Sequence, residues 1–188
     1  MRLGLLAAGL LAAAGLLGTE PARADEVPRL SLGIGQFDNT TIDSNIGPFD
    51  VSGNAHDRAV DFRLEYRFGT SLLPFTEPYA SVRPWLGAEA TSEGGVYGGG
   101  GILVDVPLGP FIFTPSFGAG LWSSGEGKDL GSPLEFRTQV EVGYEFENQS
   151  RFSLAYSHIS NADVAEPNPG ANSIVVYYHL PTRWLLGR

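Results

Sequence analysis

The chain has 188 residues, of which 12 are basic and 21 acidic, so that it carries a net charge of −9 at pH 7, and it contains no cysteine. A strongly acidic chain is repelled by phosphate backbones, which excludes nucleic acid as an expected partner. The absence of cysteine excludes a disulfide framework and thiol chemistry. No group of residues has the spacing of metal ligands, and we therefore expect neither a metal nor another cofactor.

The first 24 residues have the pattern of a secretory signal peptide. Arg2 supplies the basic start, residues 3–17 form an apolar run of Leu, Ala and Gly, and residues 22–24 form a small-x-small cleavage site. The apolar run is shorter than a comfortable transmembrane helix. We therefore predict a cleaved signal peptide over residues 1–24 and one exported domain over residues 25–188.

After this segment, apolar residues alternate with polar or small ones almost throughout, which is the period of a β-strand with two unlike faces. In residues 57–68, every second residue from Val60 to Phe68 is apolar and the residues between them are charged. Pro84 predicts a local bulge in the third strand, because proline lacks a ladder donor. In chain order, the eight predicted strands cover residues 29–38, 57–68, 79–91, 96–106, 111–121, 134–146, 151–160 and 172–180.

Eight strands of this length predict a closed barrel. A tilted strand of about 9–11 residues crosses a bilayer, and an eight-stranded barrel is so narrow that side chains fill its lumen. The polar faces carry charges of both signs, which can pair in such a lumen. We expect the charges of the second predicted strand to pair with those of the sixth, namely Asp61, Arg63, Glu65 and Arg67 with Glu135, Arg137 and Glu141. We therefore predict an all-β fold, an eight-stranded antiparallel transmembrane β-barrel, which forms an outer-membrane barrel domain over residues 25–188. The same period also fits a soluble lipid-binding barrel with its apolar face inside, and this alternative stays open.

A base and a hydroxyl stand two residues apart near the end of the seventh predicted strand, at His158 and Ser160. Residues i and i+2 of a strand point to the same face, so His158 is in position to activate Ser160 as a nucleophile. The pair shares the apolar face of the strand with Phe152, Leu154 and Tyr156. Polar residues facing lipid are costly, and a lipid ester with a polar headgroup is a substrate that would use them. A position at headgroup level, where polarity costs little, is the structural alternative.

This stretch resembles the PagL-type lipid A 3-O-deacylases of the outer membrane. Their motif reads His-x-Ser-Asn-Ala, then a Pro-Asn-x-Gly turn, then a glutamate. The matching positions, without a gap, are His158, Ser160, Asn161, Ala162, Pro167, Asn168 and Gly170. The resemblance implies an eight-stranded barrel that hydrolyses an acyl ester of lipid A, with Ser160 as the nucleophile and His158 as the general base. It also implies that amide donors of the turn from Asn161 to Asn168 stabilise the oxyanion, with Asn168 as the preferred side-chain donor. Asn161 fits equally well as a turn former, and both roles stay open for it.

One position departs from the family pattern, because Asn172 stands where the triad glutamate is expected. A neutral amide can orient an imidazole, as in Cys-His-Asn enzymes, but it stabilises the imidazolium less than a carboxylate does. Glu166 and Asp163 lie in the same predicted loop. Asn172, Glu166 and Asp163 therefore stay open as the residue that orients His158.

The resemblance implies lipid A or lipopolysaccharide as the substrate, outer-membrane lipids as the surroundings, and the cell outer membrane as the location. The alternative is a catalytically weak or inactive small outer-membrane barrel with a structural or interaction role, in which the motif has decayed at Asn172. The sequence leaves open which acyl chain would be removed and whether the chain forms a homodimer.

Overall fold

The computed structural model of the chain describes residues 27–38, 58–77 and 79–186. The predicted signal peptide, residues 1–24, and the first predicted loop, residues 39–56, lie outside the described residues. A 3-10 turn (Pro74–Thr76) precedes the third strand, and a short helix (Thr182–Leu186) follows the last. Within the described ranges, no helix is long and apolar enough to cross a membrane. The described residues form eight strands: β1 (Arg29–Phe37), β2 (Ala59–Arg67), β3 (Ser81–Thr91), β4 (Val96–Leu108), β5 (Phe111–Ser123), β6 (Leu134–Glu145), β7 (Arg151–Ser160) and β8 (Ala171–Pro181).

The strands form one closed antiparallel barrel in chain order. Each strand pairs with the next, and β8 returns to pair with β1, from Pro181 opposite Arg29 to Ser173 opposite Phe37. The predicted bounds of every strand lie within two residues of the observed ones. The prediction of an all-β, eight-stranded barrel is therefore confirmed.

The predicted bulge at Pro84 is wrong. The register between β3 and β4 runs unbroken through Pro84, which lies opposite Ile102. The Pro84 carbonyl accepts a hydrogen bond of 3.1 Å from the backbone N–H of Phe68, just beyond the end of β2. In an antiparallel ladder the N and O of one residue face the same neighbouring strand. The N–H group that Pro84 lacks would therefore face β2, at the end of the β2–β3 ladder. The two strands pair there without an extra residue.

The barrel wall has its apolar face outside. In β2, Phe62 and Leu64 point outward and are 51% and 49% exposed, whereas Glu65 points inward and is 2% exposed. Strand β7 repeats this pattern, with Phe152 and Leu154 outward and exposed. A soluble barrel has the opposite polarity, because burial of apolar side chains drives its folding. The wall is that of a transmembrane barrel, in which the outward side chains face lipid and the lumen is polar.

Charged side chains fill the middle of the lumen and are held in ion pairs. Arg67 Nη2 lies 2.7 Å from Glu141 Oε2 and 3.1 Å from Glu65 Oε2. Arg63 Nη2 lies 2.8 Å from Asp61 Oδ2. Pairing is required here, because a buried charge without a partner is strongly destabilising. The pairing predicted between the charges of β2 and those of β6 is therefore present.

Glu135 is an exception among the predicted lumen charges. Its side chain points inward and is buried, but neither carboxylate oxygen has a hydrogen-bond partner among the residues that the structure describes. Its neighbour on β5 is Gly120, which offers no side chain. The next inward residue of β6, Arg137, pairs with Glu65 across the lumen. Glu135 lies nearer the start of β6 than Arg137, and no described cation pairs with it there.

One end of the barrel carries the predicted site. Strands β1, β3, β5 and β7 finish at this end, and strands β2, β4 and β6 finish at the other. Here the lumen contains a buried apolar cluster in which Phe37 stacks on Trp122, with ring centroids 5.3 Å apart. Two loops of this end are used below: residues 161–170, which we call the motif loop, and residues 124–133, which we call the β5–β6 loop.

Candidate active site

His158 and Ser160 lie at the motif end of β7, on the outer wall of the barrel. Inward and outward residues alternate along β7, and both of these residues take the outward positions. His158 is opposite Thr138 on β6 and opposite Asn172 on β8. The imidazole, the hydroxyl and the Asn172 amide are therefore carried by two neighbouring strands on one side of the wall.

Asn172 is hydrogen bonded to the imidazole. Its Oδ1 lies 2.8 Å from His158 Nδ1, and its side chain is 1% exposed. In this arrangement Nδ1–H donates to the amide oxygen, so that Nε2 carries the lone pair that a general base needs. Asn172 Nδ2 has no hydrogen-bond partner within the described ranges. The sequence position of the family glutamate is thus brought into contact with His158, although the residue there is neutral.

The other two residues that the sequence left open are placed differently. Asp163 Oδ1 accepts a hydrogen bond of 2.8 Å from Asn168 Nδ2. Glu166 is exposed and precedes Pro167 through a cis peptide bond. Asp163 therefore orients an amide of the motif loop, and the contact with His158 Nδ1 belongs to Asn172.

Asn161 and Asn168 are linked to each other. The backbone N–H of Asn161 donates to Asn168 Oδ1 over 3.0 Å. The Asn161 side chain is fully buried, and its Nδ2 donates to the backbone oxygens of Leu130 (3.2 Å) and Pro167 (3.1 Å). These bonds use both side-chain hydrogens of Asn161, so the arrangement does not support its prediction as an oxyanion donor. Asn168 Nδ2 has two hydrogens and gives one to Asp163, which leaves the other for a ligand.

Gly170 ends the motif loop against the imidazole. Its φ is +55°, a left-handed conformation that favours glycine. A Cβ at this position would lie 2.9 Å from His158 Cε1 and 3.4 Å from His158 Nε2. The sequence motif identified Gly170 only as a turn residue. The structure adds that its missing side chain leaves room for the His158 ring.

A pocket of about 480 Å³ opens beside the pair on the outer wall. Phe117 of β5 and Phe136 of β6 form one side of it, with their rings stacked 6.1 Å apart. Sequence reasoning missed Phe117, Phe136 and Thr138, because only the strand register shows that β6 lies beside β7 and that β5 lies beside β6. The residues that line the pocket are Phe117, Phe136, Thr138, His158, Ser160, Ala162, Asp163, Asn168, Pro169 and Gly170.

The fold and the pocket define a class, a small transmembrane barrel with a candidate active site on its outer wall. The family model described as Lipid A 3-O-deacylase (PagL) matches residues 60–181, more than half of the chain. The chain belongs to this family, as the motif around His158 and Ser160 predicts.

Two curated relatives carry the name Lipid A deacylase PagL. The protein of Bordetella bronchiseptica is 34% identical over 70 residues, which cover 36% of this chain and 39% of the relative. The protein of Pseudomonas aeruginosa is 33% identical over 54 residues, which cover 29% of this chain and 31% of the relative. The chain thus spans less than two fifths of the length of these relatives.

Two solved structures share the fold. The crystal structure of the outer membrane enzyme PagL superposes with a TM-score of 0.58 at 17% identity, over 81% of this chain and 99% of that chain. The crystal structure of Neisserial surface protein A (NspA) superposes with a TM-score of 0.52 at 9% identity, over 83% of this chain and 97% of that chain. At these identities the likeness concerns the barrel architecture alone.

Proposed function

We propose that the chain is an outer-membrane lipid A deacylase, which hydrolyses the ester of a 3-O-linked acyl chain by a serine esterase mechanism. The observation that carries the proposal is the hydrogen bond between Asn172 and Nδ1 of His158, which lines a pocket together with Ser160. Family membership and the names of the curated relatives support the choice of lipid A as substrate. No cofactor takes part in this mechanism.

In the first half of the reaction, His158 Nε2 takes the proton of Ser160 Oγ as the oxygen attacks the ester carbonyl. The carbonyl becomes a tetrahedral oxyanion. When it collapses, the ester C–O bond breaks and the imidazolium returns its proton to the leaving alcohol of the sugar. The products of this half are deacylated lipid A and an acyl-Ser160 ester. In the second half, His158 activates a water molecule in the same way, which releases the fatty acid and restores the serine.

Asn168 is the side chain that we assign to the oxyanion. It lines the pocket, and its amide is fixed from both sides by the Asn161 N–H and the Asp163 carboxylate. An amide held in one orientation stabilises a developing negative charge without having to reorganise. Asn161 acts in this scheme through Asn168 and does not contact the substrate.

The position of the pocket suits a substrate that lies in the membrane. Ser160 is at the end of a strand whose outward residues, such as Leu154, are exposed and apolar. Phe117 and Phe136 continue this apolar surface into the pocket. A bound ester that joins an acyl chain to a polar headgroup would have its acyl chain along this apolar wall and its carbonyl near the end of β7. Outer-membrane lipids are therefore both the surroundings and the source of the substrate.

A second candidate function is a barrel that has kept the fold with little or no activity. The neutral side chain at Asn172 favours it, because an amide leaves the imidazolium without a counter-charge. An amide can also donate to Nδ1 instead of accepting from it, which would place the histidine proton on Nε2 and block the general base.

Mass spectrometry of lipid A decides between the two functions. Lipid A is extracted from cells that express the full chain and from cells that express Ser160→Ala, with membrane fractionation to locate the protein. Loss of one hydroxyacyl chain in the first sample only is the expected result. Unchanged lipid A in both samples, with the protein in the outer membrane, would refute the deacylase and favour the inactive barrel.

A further inference from the structure

The motif loop is hydrogen bonded to a second loop of the same barrel end. The buried Asn161 Nδ2 donates across the gap between the loops to the backbone oxygen of Leu130, over 3.2 Å. The same amide nitrogen donates to the backbone oxygen of Pro167, over 3.1 Å. Asn161, the first residue of the motif loop, is therefore tied both to Pro167 of the same loop and to Leu130 of the β5–β6 loop.

The β5–β6 loop is itself anchored to the barrel. Lys128 Nζ lies 3.0 Å from both carboxylate oxygens of Asp38, at the end of β1. The indole N–H of Trp122 donates to the backbone oxygen of Lys128 over 3.3 Å, and the Leu130 side chain is fully buried. A loop tied to β1, to β5 and to the lumen cluster offers the motif loop a fixed support.

Gly131 is the point of closest approach between the two loops. Its φ is +84°, and a Cβ built on it would overlap the backbone oxygen of Pro167. That oxygen is the one that accepts the hydrogen bond from Asn161. A side chain at residue 131 cannot be accommodated unless Pro167 moves, and movement of Pro167 breaks or bends the bond to Asn161.

We propose that Gly131 and Leu130 of the β5–β6 loop are positioning residues for the proposed deacylation. They act through Asn161, whose backbone N–H fixes Asn168 Oδ1 at 3.0 Å and so aims the Asn168 amide at the pocket. The inference rests on the proposed function, because it concerns the assigned oxyanion donor. A group that contacts only the oxyanion contributes in the transition state and not in substrate binding. If the Asn168 amide is no longer held in this orientation, kcat therefore falls and KM stays unchanged.

The experiment compares Gly131→Ala with Gly94→Ala in the full-length protein, folded in detergent micelles and assayed on lipid A. The two glycines are matched, since both lie at the motif end and have φ values of +84° and +81°. A Cβ at Gly94, however, would have its nearest heavy atom 3.8 Å away. Both variants carry the same backbone strain, and only Gly131→Ala displaces Pro167. A third variant, Asn161→Ala, removes the two bonds to the carbonyls and adds no atom.

Removal of one oxyanion donor lowers kcat by about 10²–10³-fold. We expect Gly131→Ala and Asn161→Ala to lose at least about tenfold in kcat at unchanged KM, with Gly94→Ala near wild type. Equal kcat in Gly131→Ala and Gly94→Ala, or wild-type kcat in Asn161→Ala, would overturn the positioning role. Should Gly131→Ala not fold, Asn161→Ala gives the result alone. An inactive wild type would instead refute the proposed function, and Ser160→Ala measured alongside keeps the two failures apart.

Discussion

Replacement of Asn172 by a carboxylate is the perturbation to which the proposed mechanism is most sensitive. Asn172 Oδ1 already lies 2.8 Å from His158 Nδ1, so Asn172→Asp, which has the same shape, places a negative charge beside the imidazolium that forms during catalysis. The carboxylate can only accept from Nδ1–H, which also fixes the productive tautomer. Asn172→Glu restores the residue of the family motif with one additional methylene.

The size of the effect follows from the geometry. Two unit charges about 4 Å apart attract by about 4 kcal/mol at an effective dielectric constant of about 20, which corresponds to about 10³ in rate. Part of this gain is lost, because the new carboxylate is buried, residue 172 being 1% exposed. One of its oxygens also takes the place of Asn172 Nδ2, which has no hydrogen-bond partner in the described part of the chain. We therefore expect kcat to rise by about 10²-fold.

Steady-state deacylation of lipid A in detergent micelles measures this gain. Asn172→Gln is the matched control for Asn172→Glu, because it has the same length without the charge, and it is expected to stay at or below the wild-type kcat. The gain must disappear when Ser160→Ala is added. If neither carboxylate exceeds its neutral counterpart, Asn172 does not serve as the third member, and the reasoning from the His158 contact fails.

Two other predictions follow from contacts of the site and of the lumen. Gly170→Ala pushes a Cβ against the His158 ring and is expected to lower kcat at least about tenfold; Gly109→Ala, also at positive φ but with nothing within 4 Å, controls for backbone strain in the same assay. Glu65→Ala leaves Arg67 and Arg137 without one of their buried carboxylates and is expected to lower the free energy of unfolding in urea by about 3–5 kcal/mol. As a control, Glu93→Gln at an exposed position should change the free energy of unfolding by less than about 0.5 kcal/mol. Equal stability of the Glu65→Ala and Glu93→Gln variants would argue against a structural role for the lumen pairs.

The local alternation of apolar and polar residues was sufficient to predict the strands and half of the site. Alternation depends only on the residues of one strand, so the eight strands and the shared face of His158 and Ser160 were predictable from the sequence. The motif also pointed to position 172, although by resemblance and not by geometry. Which of Asn172, Glu166 and Asp163 meets the imidazole depends on how β7 and β8 pair across a ten-residue connection, and no local pattern contains that register.

Long-range pairing decided the rest of the site. Phe136 and Thr138 enter the pocket because β6 lies beside β7 in the observed register, and Gly131 matters because its loop packs on the motif loop. Among the described residues of the lumen, Glu141 has a partner and Glu135 has none, although both occupy inward positions of β6. The sequence by itself determined which residues share a face of each strand, because side-chain alternation is local. Only the tertiary structure decided which faces and loops meet, because closure of the barrel brings together residues that are far apart in the chain.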